Sequence, residues 1–216
     1  MAVSAAGSPR ASELAYAKLQ TMVVELELAP GELVNEAALA ERIGLGRMPV
    51  REALARLSQE RFLTILPRRG TVVADIVLTD VLDMLTACEI FEAGLASEIC
   101  RQASDEELAL LAEKFTTVDE LGASGDYLAF LTADHAAHTA MVRLCRNPFV
   151  APVAETALLH NLRFWRYVRR RQVLESRFIQ PHAPLVEALT RRDSDAAELA
   201  IRTLVANARI SLQVLF

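Results

Sequence analysis

Two groups of residues in this chain have types and spacings that can do chemistry. Between Arg42 and Arg69 lie seven arginines (Arg42, Arg47, Arg51, Arg56, Arg61, Arg68 and Arg69) against two acids, Glu52 and Glu60, a local balance of +5 in a chain whose total is −5. The remainder therefore carries −10. Such asymmetry separates a module that meets a polyanion from a module with another task. The second group is Asp134 with His138, four residues apart and so on one face of a helix, with His182 able to approach from a neighbouring helix. A carboxylate with imidazoles suits Zn²⁺, Mn²⁺ or Ni²⁺, and the core of a helical bundle is a usual place for such a site. A hydrogen-bonded pair on the helix surface is the alternative for Asp134 and His138. His135 points about 100° away on the same helix, and His160 belongs to no motif.

The elements that must position these residues follow from apolar spacing and from helix punctuation. Ser12 to Leu28 carries apolar residues at helical intervals and is stopped by Ala29-Pro30-Gly31. Asn35 is a good N-cap for a short helix to Ile43, and Gly44-Leu45-Gly46 breaks the chain again. A third helix, with Pro49 in its first turn, runs to about Glu60 and buries Val50, Ala53, Leu54 and Leu57 as one stripe. Glu52 and Arg56, four apart, are expected to pair along it. Residues 62–66 and 71–74 are β-prone and joined by Pro67-Arg68-Arg69-Gly70, a small hairpin. This order is that of a winged helix-turn-helix. On the third helix Arg47, Met48 and Arg51 lie at the start or on the side away from the apolar stripe, where an arginine can bond guanine O6 and N7 in a major groove. Arg68, Arg69 and Gly70 form the hairpin tip, which can reach phosphate or a minor groove. The bland alternative is a solvated arginine face.

Beyond Asp75 strand signals vanish and helical periodicity continues almost to the end. Helices are predicted from Thr79-Asp80 to about Arg101, from Ser104 to about Leu121, from Asp126 to about Cys145, from Pro148 and Pro152 to about Arg171, from Leu174 to Thr190, and from Ser194 to Leu215. The fold class is thus mainly α, a winged helix-turn-helix followed by an antiparallel all-helical bundle. The expected division is a flexible arm over 1–9, a DNA-binding domain over 10–76 and a helical domain over 77–216.

Several classes are excluded. No apolar run approaches the ~20 residues of a membrane span and the start lacks signal-peptide character, so a cytoplasmic protein without membrane contact is expected. Cys88, Cys100 and Cys145 have no CxxC spacing and read as buried thiols. There is no GxSxG elbow and no P-loop, and Gly44-Leu45-Gly46 lacks the remainder of a dinucleotide fingerprint. A hydrolase using a metal at Asp134, His138 and His182 is the enzymatic alternative, but it leaves the arginine-rich third helix unexplained. The run from Arg163 to Arg171 interleaves arginines with Phe164, Trp165 and Tyr167, which inside a helix reads as packing aromatics.

The segments Leu28-Ala29-Pro30-Gly31-Glu32-Leu33-Val34-Asn35-Glu36, Leu39-Ala40, Gly44-Leu45-Gly46-Arg47-Met48-Pro49-Val50-Arg51-Glu52-Ala53-Leu54-Ala55-Arg56-Leu57 and Arg69-Gly70 closely resemble the DNA-binding domain of the GntR family. Residues 78–215 more loosely resemble the FCD domain of its FadR-like branch. The resemblance implies a homodimer reading a short inverted repeat in double-stranded DNA, a repressor rather than an enzyme, and a bundle cavity that takes a small organic effector. It also implies a metal held by one Asp and three His. Here Leu204 stands where the third His is expected, so the ligand set of Asp134, His138 and His182 is incomplete, and a site with weak or no metal is expected. Cys88 stands where the family often places an arginine four residues before a glutamate, here Glu92. Cys88 and Leu204 then line the effector pocket, with Arg163 or Arg166 as a replacement anion anchor, and a more apolar effector is expected. Gly46 and Met48 replace small hydroxylated residues, and Arg61 replaces a glycine.

Overall fold

A computed structural model, describing residues 9–171 and 179–212, separates the chain between Ile76 and Val77 into two units, taken here in turn. In the first, α1 (Pro9–Val24), α2 (Glu36–Ile43) and α3 (Arg47–Gln59) precede an antiparallel hairpin of β1 (Leu63–Leu66) and β2 (Gly70–Val73). Leu63 faces Val73 and Leu66 faces Gly70, while Leu33 forms an isolated bridge to Val72 that ties the α1–α2 connection to the hairpin. α3 packs on both α1 and α2, and its Val50 and Leu57 are fully buried together with Leu19, Val23, Phe62 and Val73. The apolar stripe on α3 is therefore the unit's core, leaving the opposite face to solvent.

α1 ends before the expected Leu28 because Leu26 turns to φ 59, and the amides of Glu27 and Leu28 both fold back onto the carbonyl of Met22. The first turn of α2 is capped by Asn35, whose Oδ1 accepts from the amides of Ala37 and Ala38 at 3.0 and 3.1 Å.

α2 and α3 end in the same way. After α2, the Gly44 amide donates to Glu41 and that of Leu45 to Ala40, with Gly44 at φ 69. After α3, the Arg61 amide donates to Ser58 and that of Phe62 to Leu57, with Arg61 at φ 65. Both are Schellman caps, which need a left-handed residue just past the helix. Glycine adopts that conformation freely, whereas a side chain there is strained. The arginine at position 61 therefore occupies a glycine-favouring site, for which the sequence offers no compensation.

The second unit is all-helical: α4 (Leu78–Gln102), α5 (Asp105–Ser124), α6 (Tyr127–Leu144), α7 (Ala151–Arg170), α8 (Ala183–Thr190) and α9 (Ser194–Leu212). α4 packs against α6, α7 and α9; α5 packs against α6 and α8; α6 packs against α7, and α8 against α9. The short links between α5, α6 and α7 make these neighbours antiparallel. α5 opens with a full capping box: Ser104 Oγ accepts from the Glu107 amide at 3.2 Å and Glu107 Oε2 accepts from the Ser104 amide at 2.9 Å. Core residues include Ile99, Leu111, Phe115, Met141, Leu185, Leu189 and Ile201. No described helix is long and apolar enough to cross a membrane.

The helix expected over residues 174–190 begins instead at Ala183. Residues 179–182 are not helical, and Pro184 falls in the first turn of α8, where a missing amide costs nothing. Its expected beginning at Leu174, like most of the 1–9 arm and the end of the last helix at Leu215, lies outside the described residues. Segment 179–182 lies close to α5 at Gly122, where a Cβ would come within 2.7 Å of Ile179 Cγ2. The absence of a side chain at Gly122 admits the strand of chain that carries His182.

Replacing Asn35 by Ala should destabilise the first unit by about 1 kcal/mol, because two amides lose their cap. Replacing Arg61 by Gly should stabilise it by about 0.5–1 kcal/mol, the relief of left-handed strain less the greater freedom of the unfolded chain. Denaturant midpoints of the two variants against the parent measure both effects, and opposite signs are expected.

Candidate functional site

The exposed face of α3 begins at its first residue. Arg47 and Arg51 are exposed, as is Met48 at 54%, while Pro49, Val50, Ala53 and Leu54 are buried. Gly46 caps this helix without a side-chain hydrogen bond, leaving its first amides open. At the hairpin tip Arg68 and Arg69 are exposed, Arg68 at φ 62 and Gly70 at φ 98, and the Arg69 amide closes the turn onto Leu66 at 3.1 Å. Among the described residues no ion pair involves Arg47, Arg68 or Arg69, whereas Arg42 pairs with Glu27 and Arg51 with Glu36. The expected Glu52–Arg56 pair does not form. Arg56 pairs instead with Glu60 at 3.0 Å and lies 3.6 Å over the ring of Tyr16, while Glu52 accepts from Ser12. Both directions from Arg56 are four residues, but only Glu60 is also fixed by the Tyr16 hydroxyl, at 2.6 Å.

In the helical unit, α6 presents Asp134 and His138 to His182, the residue preceding α8, which is 3% exposed. His138 Nε2 lies 3.4 Å from His182 Nε2; Asp134 Oδ1 lies 3.3 Å from His182 Nε2 and 3.8 Å from His138 Nε2. The far side of each ring is held by a carboxylate that local spacing did not reveal. Glu92 of α4 meets His138 Nδ1. Asp119 of α5 meets His182 Nδ1 at 2.9 Å and also accepts the His182 backbone amide at 2.8 and 2.9 Å from its two oxygens. Phe115, fully buried, stacks on His182 and meets His138 edge-on, both at 5.1 Å between centroids.

Burial alone would lower both histidine pKa values. For His182 the bonds to Asp119 and Asp134 outweigh it and raise the value to about 9; for His138 the Glu92 charge, followed by that of Asp134, has the same direction. Burial would raise the Asp134 carboxyl, yet His138 and His182 hold it below its ordinary value. For His135 burial outweighs the opposing Asp134 charge and lowers the value.

The three facing atoms are a fit for a metal ion. Donors at the ~2.0–2.2 Å of zinc sites, arranged tetrahedrally, lie about 3.3–3.6 Å from one another, close to the separations found here. Carboxylates behind both Nδ1 atoms direct both Nε2 atoms inward, the outer arrangement of metal-binding histidines. Asp134 and His138 are only partly exposed and face the buried His182, so they are not an isolated pair on the helix surface.

The same atoms line a cavity of about 90 Å³. Its wall includes Cys88 and Leu204, together with Phe130, Leu131 and Trp165. Cys88 is 2% exposed and its thiol pKa is pushed well up, by burial and then by Glu92. Arg163 is 3% exposed but is not among the described residues lining this cavity. On α7 it is Asn161 and Trp165 that face it, because Arg163 is turned about 200° from the first of these and the helix directs it elsewhere. Asn161 Oδ1 is buried without a hydrogen-bond partner among the described residues. In the arginine-aromatic run, Phe164 is buried and Phe164 and Trp165 pack edge-on at 5.0 Å, as a packing role requires.

Family models match both units: "Bacterial regulatory proteins, gntR family" over residues 11–73 and "FCD domain" over residues 83–207. An HTH-type transcriptional regulator in an unstable DNA locus of Streptomyces ambofaciens is 30% identical over 87% of this chain and 79% of its own. The HTH-type transcriptional repressor GlaR of Escherichia coli is 27% identical over 87% of this chain and 89% of its own. The solved structure of E. coli McbR/YncC superposes with a TM-score of 0.79 at 18% identity, covering 95% of this chain and 99% of that one, which establishes a shared fold. These relatives are regulators, and the hydrolase alternative finds no support among them. With a reading helix at one end and an FCD domain over more than half its length, the chain belongs to the GntR family of bacterial transcriptional regulators.

Proposed function

We propose that this regulator is a homodimeric, cytoplasmic repressor that reads a short inverted repeat with α3 and the hairpin tip and responds to a small molecule bound in the helical unit. The observation that carries the DNA half is the exposed series Arg47, Met48 and Arg51 on the face of α3 opposite its buried stripe. Arg47 and Arg51 meet base edges, and Arg68, Arg69 and Gly70 meet the backbone. A two-fold pair doubles a contact area that is limited for one such module. Repression is favoured by the relatives named repressors, GlaR and the NanR of Salmonella newport.

Asp134, His138 and His182 would hold a divalent transition metal, zinc, manganese or nickel, with Glu92 and Asp119 orienting the two rings. When bound, the ion supplies a fixed positive charge and a Lewis-acidic position for an oxygen or nitrogen of the effector. Leu204, in place of a further histidine, adds apolar wall, and so does Cys88. Asn161, whose Oδ1 awaits a donor, favours an effector with a hydroxyl or amide N–H beside an apolar body. Effector binding acts by favouring one placement of the paired reading helices over another, and can do so only through unequal affinity for the two.

On duplexes selected by the full chain from a random-sequence pool, Arg51→Ala should weaken binding tenfold or more at the positions it reads, whereas Arg68→Ala should weaken all duplexes to a similar extent and flatten the salt dependence. Titrations at stated salt that leave both variants unchanged would refute the docking. Protein purified without chelator should carry close to one metal equivalent per chain by elemental analysis, and a saturating metal should raise the melting temperature of stripped protein. Asp119→Asn should weaken metal binding about 10–100-fold without removing a ligand. Less than a tenth of an equivalent in the parent protein would remove the metal from the proposal.

A further inference from the structure

Among the described residues, Arg51 is the one exposed arginine of the reading face held by an acid of a different helix. Its Nε and Nη2 both donate to Glu36 Oε2, at 3.1 and 2.9 Å. Glu36 is the first residue of α2, next to the Asn35 cap, and 41% of its side chain remains exposed beside 62% for that of Arg51. A pair this open to water adds little to folding. A carboxylate on a surface that must approach phosphates also opposes binding. An acid whose stabilising role is small and whose electrostatic sign is adverse needs another reason to be there.

The geometry supplies one. We infer that Glu36 is a positioning residue for sequence discrimination: it clamps one edge of the Arg51 guanidinium so that the remaining donors face the base edges and cannot swing to the nearest phosphate. Guanidinium has five N–H donors in a rigid fork, and Glu36 takes up the Nε edge and part of Nη2, leaving the Nη1 donors free. An untethered arginine gains from any phosphate it can reach and so strengthens binding to every duplex alike. A tethered one gains only where acceptors stand at the place it already occupies, and loses less side-chain entropy there. On a non-cognate site the Glu36 charge stays close to the backbone with its arginine unsatisfied by DNA, which is an adverse element aimed at the wrong partner. Removing the tether should therefore raise general affinity while lowering discrimination.

The inference rests on the docking of α3 proposed above, and a double-mutant cycle separates the two. The full chain, Glu36→Gln, Arg51→Ala and the double variant are titrated against a duplex enriched from a random pool by the full chain and against a scrambled duplex of the same composition, at one salt concentration. Glu36→Gln keeps the length and polarity of the side chain and removes its charge. It should tighten binding to the scrambled duplex several-fold and reduce the enriched-to-scrambled ratio by roughly tenfold. In the Arg51→Ala background the same change should leave the ratio unaltered, since there is no guanidinium left to position. A role in merely holding α2 to α3 would lower both affinities together and leave their ratio intact, which overturns the inference. An equal loss of discrimination with and without Arg51 also overturns it, because Glu36 would then act independently. If Arg51→Ala itself has no effect, the docking fails and the inference falls with it; if Arg51→Ala is impaired while Glu36→Gln is unchanged, only the inference falls. Melting temperatures of the four proteins within a few degrees of one another confirm that the ratios compare folded chains.

Discussion

Two imidazoles inclined at 67° to one another, with their Nε2 atoms 3.4 Å apart, are sustained by the carboxylates behind them. Burial of a histidine disfavours its charged form, and burial of two at 3.4 Å adds mutual repulsion to any charge they share. Glu92, Asp119 and Asp134 reverse that balance, and each does so from a defined place in the bundle: α4 for the first, α5 for the second and α6 for the third. The network thereby joins α4, α5 and α6 to the start of α8. Since the Nδ1 atom of each ring and the His182 amide have a carboxylate acceptor, loss of Glu92 or Asp119 leaves a donor unmatched away from solvent, a larger penalty than the loss of the bond itself. Phe115 fills the space against both rings and excludes the solvent that would otherwise weaken these interactions.

The arrangement also explains how only two histidines and one aspartate form an organised group. Three inward atoms at nearly equal separations depend on ring orientation more than on ligand number, and orientation is set from outside by Glu92 and Asp119. Leu204 on α9 shares the cavity with those atoms and adds apolar surface to it.

The reading unit follows a different economy. Its core is a narrow stripe shared by α1, α3 and the hairpin, and its other faces carry arginines paired with acids at the surface or left open to solvent. Such pairs contribute little to stability but decide which guanidinium groups are available and where they point. Arg56, tied to Glu60 and laid on Tyr16, is part of the scaffold, whereas Arg47, Arg68 and Arg69 have no ion-pair partner among the described residues. The same chemical group is thus divided between architecture and contact by the acids placed around it.

By itself the sequence determined what is local. The period of the apolar stripe on α3, the Asn35 and Ser104 caps and the arginines of the hairpin tip are short-range patterns, and they placed the reading helix and the wing to within one or two residues. Asp134 and His138 were legible for the same reason, being four apart on one helix. What only the tertiary structure decided lies at long range: Glu92 and Asp119 are 46 and 63 residues from the rings they hold, Asn161 and Leu204 meet in one cavity from different helices, and Arg51 finds Glu36 rather than a neighbour on its own helix. It also put Asn161 and Trp165, not Arg163, on the face of α7 that lines the cavity among the described residues. Spacing along a helix fixes which side chains share a face; which face meets which depends on how the helices pack, and that is settled by burial summed over the whole unit.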